Sequence, residues 1–74
     1  MPHVSIKLWP GRSEEQKKDM AEKIKQAVME STGASESYIS IAIEEVDSSE
    51  WGTVYRDEIM AKEDKLYKKP DYTY

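Results

Sequence analysis

Cysteine is absent from this chain of 74 residues. Neither a disulfide nor a cysteine-based zinc site can therefore supply stability. A surplus of positive charge is also missing: 11 basic residues stand against 15 acidic ones, for a net charge of -4. Nucleic-acid binding usually needs the opposite sign or a concentrated basic stripe, so no nucleic-acid partner is expected. No apolar run approaches the roughly 18 residues of a membrane span, and there is no signal-peptide core. No Walker loop, Gly-rich dinucleotide fingerprint or Gly-x-Ser-x-Gly hydrolase motif occurs. His3 is the single histidine and has no cysteine to join in a metal site. These absences predict a soluble, intracellular protein, assigned to the cytoplasm, with no membrane or metal partner.

What remains describes a single small domain over 1–74. The apolar fraction is 38% and the charged fraction 35%. A chain this short hides only about 60% of its unfolded surface, so its own core is marginal. Self-association is the expected support.

The pattern of apolar residues gives the elements. Val4, Ile6 and Leu8 alternate with Ser5 and Lys7, which predicts a strand over His3–Trp9. Pro10-Gly11 ends it, and Arg12 follows on the turn. Ser13-Glu14-Glu15-Gln16 is a capping box with acids in the first helical turn. Met20, Ile24, Ala27 and Val28 then recur at helical spacing, and Gly33 closes a helix over Ser13–Thr32. Ile39, Ile41 and Ile43 mark one face of a second strand, Tyr38–Val46. Strand, helix and strand in this order make a βαβ unit with parallel strands, the helix covering the Ile39/Ile41/Ile43 face. One helix on two strands leaves the far face and both edges bare, a defect that pairing with another copy repairs. A second helical region, open to a break, is expected over Ser48–Lys68. A tail, Asp71-Tyr72-Thr73-Tyr74, follows.

Several residues carry possible chemistry, each beside a plainer role. Pro2 follows the initiator methionine, which aminopeptidases remove before a small residue. The freed terminus is then a secondary amine. An α-amino group titrates near 7.7–8.0, and burial or a nearby cation lowers that value toward a base poised for proton abstraction. A Met-Pro start is also common without any catalytic purpose. Arg12 either grips a carboxylate with its two-pronged guanidinium or balances Glu14 or Glu15 in solvent. Trp51 either walls an apolar pocket or anchors the second helical region in the core. His3 reads as a solvated or interface residue. Glu44, Glu45, Asp47 and Glu50 read as a solvated acidic face, and the Lys62, Lys65, Lys68 and Lys69 group is interrupted by acids.

Taken in order, Met-Pro, a short strand, Pro10-Gly11-Arg12-Ser13-Glu14-Glu15-Gln16-Lys17, an amphipathic helix, a second strand and Trp51 resemble the 4-oxalocrotonate tautomerase family. The longer end, with Lys68-Lys69-Pro70-Asp71-Tyr72, is closer to the bacterial PptA-type subgroup. The resemblance implies an α+β tautomerase fold with a C-terminal helical region, two protomers sharing a four-stranded sheet backed by helices. It implies a cofactor-independent keto-enol tautomerase of small unsaturated 2-hydroxy or 2-oxo acids. Pro2 is then the general base after loss of Met1, Arg12 binds carboxylate, and Trp51 keeps the site apolar. The founding enzymes carry a second arginine where this chain has Ser40. A monocarboxylic enol such as an arylpyruvate enol therefore fits better than a dicarboxylate. Neighbouring chains share a site in this family, so Pro2 and Arg12 need not meet within one chain. A dimer is favoured over a trimer of dimers, because the longer end obstructs the larger packing. The alternatives are a non-catalytic binding or assembly domain on the same fold, or a related proline-based decarboxylase or dehalogenase.

Overall fold

The computed structural model describes residues Met1–Tyr74. Strand β1 spans His3–Leu8, helix α1 Glu14–Thr32 and strand β2 Ser40–Glu45. The strands pair in parallel, with Val4 beside Ile41 and Ile6 beside Ile43. Register partners point to the same side, so these apolar residues form one face and His3/Ser40, Ser5/Ala42 and Lys7/Glu44 the other. Lys18 and Ala21 of α1 border Ile39 and Ile41 along the apolar face. That is the βαβ packing which the alternation of Ile39, Ile41 and Ile43 predicts.

Helix α1 begins and ends where its sequence directs. The Gln16 amide donates to Ser13 Oγ at 3.1 Å, and the Ser13 amide donates to Gln16 Oε1 at 2.9 Å. At the far end Gly33 takes φ 76°, a left-handed conformation that a side chain resists. Its amide donates to the Met29 carbonyl at 3.0 Å. Gly11, at φ 130°, makes a similarly glycine-favouring turn between β1 and Arg12.

Both strands are shorter than the periodicity predicts. Tyr38 lies in a 3-10 turn, Glu36–Tyr38, rather than in β2. The reason lies across the sheet. The Ser40 amide donates to the Pro2 carbonyl at 3.2 Å, but Pro2 has no N–H with which to extend the ladder. At the other end the Val46 amide donates to Leu8 at 2.8 Å, and Pro10 again offers no donor, so Trp9 falls outside β1.

The expected second helix is a broken run. It consists of a 3-10 turn at Ser48–Glu50, a short helix α2 at Trp51–Val54, a π-turn at Tyr55–Ile59 and a 3-10 stretch at Met60–Lys65. Glu58, Ile59 and Met60 are all half-buried. Consecutive positions on a regular α-helix are 100° apart, so burying three in a row favours a wider turn. Lys62 then leaves helical geometry at φ -112°, ψ 26°. The run stops at Lys65, short of Lys68, and residues 66–74 continue as a strap without regular structure.

The core is slight. Val54 is the one buried residue, at 8% exposure, whereas Trp9 is 46% and Tyr38 57% exposed. The salt bridge from Lys7 to Glu58 ties the helical run to the polar side of the sheet. No helix is long and apolar enough to cross a membrane.

Candidate active site

The sequence-predicted residues fall into two groups, one at each end of β1. The six residues of this strand, at about 3.3 Å each, hold the two groups roughly 20 Å apart.

At the amino end lie Pro2, His3 and Ser40. Ser40 hydrogen-bonds Pro2 through its backbone amide and His3 through its side chain, with Oγ 2.7 Å from His3 Nδ1. Pro2 is half-buried, and Met1 before it is 95% exposed. While Met1 is attached, the Pro2 nitrogen is an amide without a basic lone pair. Loss of the exposed methionine turns it into an amine.

At the carboxyl end lies Arg12, with Trp51 beside it. Together with Trp9, Tyr72, Thr73 and Tyr74 they line a cavity of about 500 Å³, open to solvent. Arg12 carries its single charged side chain. Arg12 is exposed and makes no ion pair with Glu14 or Glu15; Glu14 is held by Lys17 at 3.1 Å. Arg12 has no ion pair within the chain. A guanidinium without an ion pair can hold a carboxylate through two parallel hydrogen bonds.

Trp51 is half-buried at the start of α2, and it also lines the cavity. Its approach is fixed from below by Asp47, which caps the preceding turn. Asp47 accepts from the Ser49 amide at 3.0 Å and the Ser49 hydroxyl at 2.5 Å. These hydrogen bonds, led by the hydroxyl, hold the Asp47 carboxyl below its usual range.

From sequence, Trp9 was only the end of the first strand, and Tyr72 and Tyr74 were two of five tyrosines that could include an acid, with nothing to select one. Tyr72 OH accepts from Trp51 Nε1 at 3.0 Å, and the Tyr72 ring stacks at a tilt on Tyr55 with centroids 5.7 Å apart. The Tyr74 ring meets Trp9 edge-on at 6.2 Å, while its hydroxyl donates to the Ser48 carbonyl. Aromatic residues at both ends of the sequence were the available signal, but nothing in their spacing said that they meet.

The remaining clusters carry no comparable feature. Lys25 is shared between Glu22 at 3.0 Å and Glu36 at 3.2 Å. Lys69 reaches Glu63 at 3.8 Å and Lys68 reaches Asp71 at 3.8 Å, so the basic group near the end is locally neutralised. The acidic stretch around Asp47 supplies a turn cap and forms no cluster able to hold a metal ion.

Residues 2–55, from Pro2 to beyond Trp51, match the family profile described as tautomerase enzyme. The chain belongs to the tautomerase family. The 2-hydroxymuconate tautomerase of Bacillus subtilis is 50% identical to it over 46 residues, 62% of this chain and 74% of the relative. The tautomerase PptA of Klebsiella pneumoniae is 35% identical over 74 residues, 99% of each protein. A structure from the study of 4-oxalocrotonate tautomerase isozymes of Methylibium petroleiphilum matches with a TM-score of 0.64 at 40% identity, covering 68% of this chain and 81% of that one. The resemblance read from the sequence is thereby established, as is the α+β tautomerase fold. This tautomerase is an enzyme of the isomerase class. Its family context also gives meaning to the exposed apolar surface, since tautomerases of this kind are oligomers acting on small molecules.

Proposed function

We propose that the protein catalyses keto-enol tautomerisation of small unsaturated 2-hydroxy or 2-oxo acids in the cytoplasm, with Pro2 as general base and no metal or organic cofactor. The observation that carries this reading is Arg12, unpaired beside Trp51 in an aromatic cavity of about 500 Å³. After Met1 is removed, the Pro2 nitrogen takes the enol hydroxyl proton. The oxygen lone pair closes to a carbonyl, and the double-bond electrons take a proton back from the ammonium at the adjacent carbon. Arg12 holds the carboxylate in place and draws charge toward it. Trp51 keeps water away and favours the neutral amine.

Pro2 and Arg12 stand at opposite ends of β1, so a complete site needs a second protomer to bring its Arg12 end to the first protomer's Pro2. A dimer with a four-stranded sheet built from two βαβ units answers this need and the thin core together. The strap 66–74 adds bulk that favours the dimer over a hexamer. The whole of 1–74 acts as one domain. Ser40 stands beside Pro2 without a charge, which favours a monocarboxylic enol, an arylpyruvate enol in particular, over a dicarboxylate.

The test begins with an intact-mass measurement to obtain protein free of Met1. Phenylenolpyruvate and 2-hydroxymuconate, the latter because a relative is named for it, are then assayed with processed protein and with Pro2→Ala. The expected result is turnover of phenylenolpyruvate that the substitution lowers, since it puts a primary amine in place of the ring nitrogen. Equal rates for both proteins would remove Pro2 from the mechanism.

A further inference from the structure

The strap 66–74 does more than finish the chain. Tyr72 bonds the indole of Trp51, Tyr74 meets Trp9 edge-on, and both tyrosines line the Arg12 cavity. We infer that this strap is the specificity element of the site: Tyr74 and Tyr72 form the wall that receives an aryl group attached to the carboxylic acid held by Arg12, and Tyr72 positions Trp51. The inference rests on the reading that Arg12 receives the substrate carboxylate.

The chemistry of the lining favours this class of ligand. Trp9, Trp51, Tyr72 and Tyr74 bring four aromatic rings to one cavity, and Arg12 brings one positive charge. A second carboxylate would find no second cation. An aryl ring would find edges and faces with which to pack. The cavity size falls within the roughly 300–1,000 Å³ usual for small-molecule sites.

Tyr72 is held from three directions. Its ring lies against Tyr55, its carbonyl accepts from Tyr55 OH at 3.4 Å, and its hydroxyl accepts from Trp51 Nε1. Tyr74 is fastened through its hydroxyl to the Ser48 carbonyl, at the turn that precedes Trp51. The wall and the indole it faces therefore share one set of supports. Loss of the Tyr72 hydroxyl alone frees the indole nitrogen while keeping the ring in place.

The chain contains two tryptophans, and both line this cavity, so intrinsic fluorescence reports its occupancy without any turnover. The experiment titrates full-length processed protein with 3-phenylpropanoate and with propanoate, unreactive acids that differ in the aryl group. The parent is expected to prefer 3-phenylpropanoate by about tenfold or more, as an extra aromatic contact set of some 1.4 kcal/mol gives. Tyr72→Ala and Tyr74→Ala should each bring that preference within about threefold of unity, a loss of the order expected for one aromatic contact. Tyr72→Phe, which retains the ring, should lie between parent and Tyr72→Ala and shift the tryptophan emission. Arg12→Ala should weaken both acids together.

No aryl preference in the parent overturns the inference. So does a preference that survives both tyrosine-to-alanine variants, including the case in which those two variants weaken both acids equally. The outcome is separable from the proline mechanism. Strap-dependent aryl binding together with full turnover by Pro2→Ala would retain the strap and reject the base. Turnover lost with Pro2, beside aryl binding indifferent to the strap, would do the reverse.

Discussion

The two ends of β1 are built on different principles. At the amino end, Pro2 and Ser40 are placed by backbone hydrogen bonding between strands, and His3 adds a single side-chain contact. Their positions follow from sheet register. At the carboxyl end, Arg12 and Trp51 are placed by a glycine turn, a capped 3-10 turn and a strap of tyrosines reaching back from residues 72–74. Those positions depend on side chains far apart in sequence. The lesson is that this chain holds a rigid, nearly featureless half-site and an elaborate one. In the mechanism proposed above, the first brings the base and the second does the choosing.

The sharpest way to break that division is to block the base. Protein that keeps Met1, whose Pro2 nitrogen is an amide, should show a kcat about two to four orders of magnitude below that of protein free of Met1, the usual range for a general base; Pro2→Ala, which leaves a primary amine at the terminus, should lose less. Steady-state kinetics on phenylenolpyruvate checks this, and the tryptophan titration with 3-phenylpropanoate should still show binding. If binding vanished as well, the ends would not be dividing the work.

Arg12→Ala comes next. It should reduce kcat/KM by about 10²-fold, as loss of a charge-assisted bidentate contact implies. Arg12→Lys should recover only part, because an ammonium lacks the planar fork. Full recovery by lysine would show that charge alone matters at this end.

A smaller change can move a feature from one end to the other. Ser40→Arg places a cation beside Pro2, and should improve kcat/KM for 2-hydroxymuconate relative to phenylenolpyruvate by about tenfold, the scale of one ionic hydrogen bond. An unchanged ratio would mean that the charge at this position does not decide between mono- and dicarboxylates.

Stability gives the finest comparison. Ser13→Ala removes the cap of α1 and should cost about 1 kcal/mol in urea unfolding, with an unaltered m-value and unaltered aryl preference. Asp47→Asn tests the support beneath Trp51 through pH. The folded Asp47 carboxyl lies below its ordinary 3.8, so its contribution is complete above that pH and fades as pH falls through the folded value. Acid unfolding should therefore be shallower below pH 3.8 for the asparagine variant. An identical acid limb would show that the Asp47–Ser49 turn does not hold the Trp51 end.

Local signals were legible wherever a partner lay within a few residues. Ser13 and Gln16 announce the start of α1, and Gly33 its end, because each acts on amides or carbonyls of its own helix. Alternation of Val4, Ile6 and Leu8 similarly marked a strand. The ends of β2 were not legible from its own residues. Tyr38 has strand character, but the missing N–H of Pro2 on the other strand limits the ladder. The broken run after Ser48 shares a helical rhythm with an intact helix, and its π-turn answers the burial of Glu58, Ile59 and Met60 together. Arg12 and Trp51 were candidates from sequence. Their common cavity was not, since the Trp51–Tyr72 bond spans 21 residues.

The sequence by itself determined the βαβ order, the capped helix, the proline that can become an amine and the arginine that follows the first turn. These are properties of residue type and short spacing, fixed by backbone hydrogen bonding and apolar periodicity. Only the tertiary structure decided that Tyr72 and Tyr74 join Trp9 and Trp51 around the cavity that Arg12 borders. Strand extension, a local rule, already sets Pro2 and Arg12 roughly 20 Å apart. Long-range aromatic contact gathers the tyrosines, and no local rule encodes that meeting.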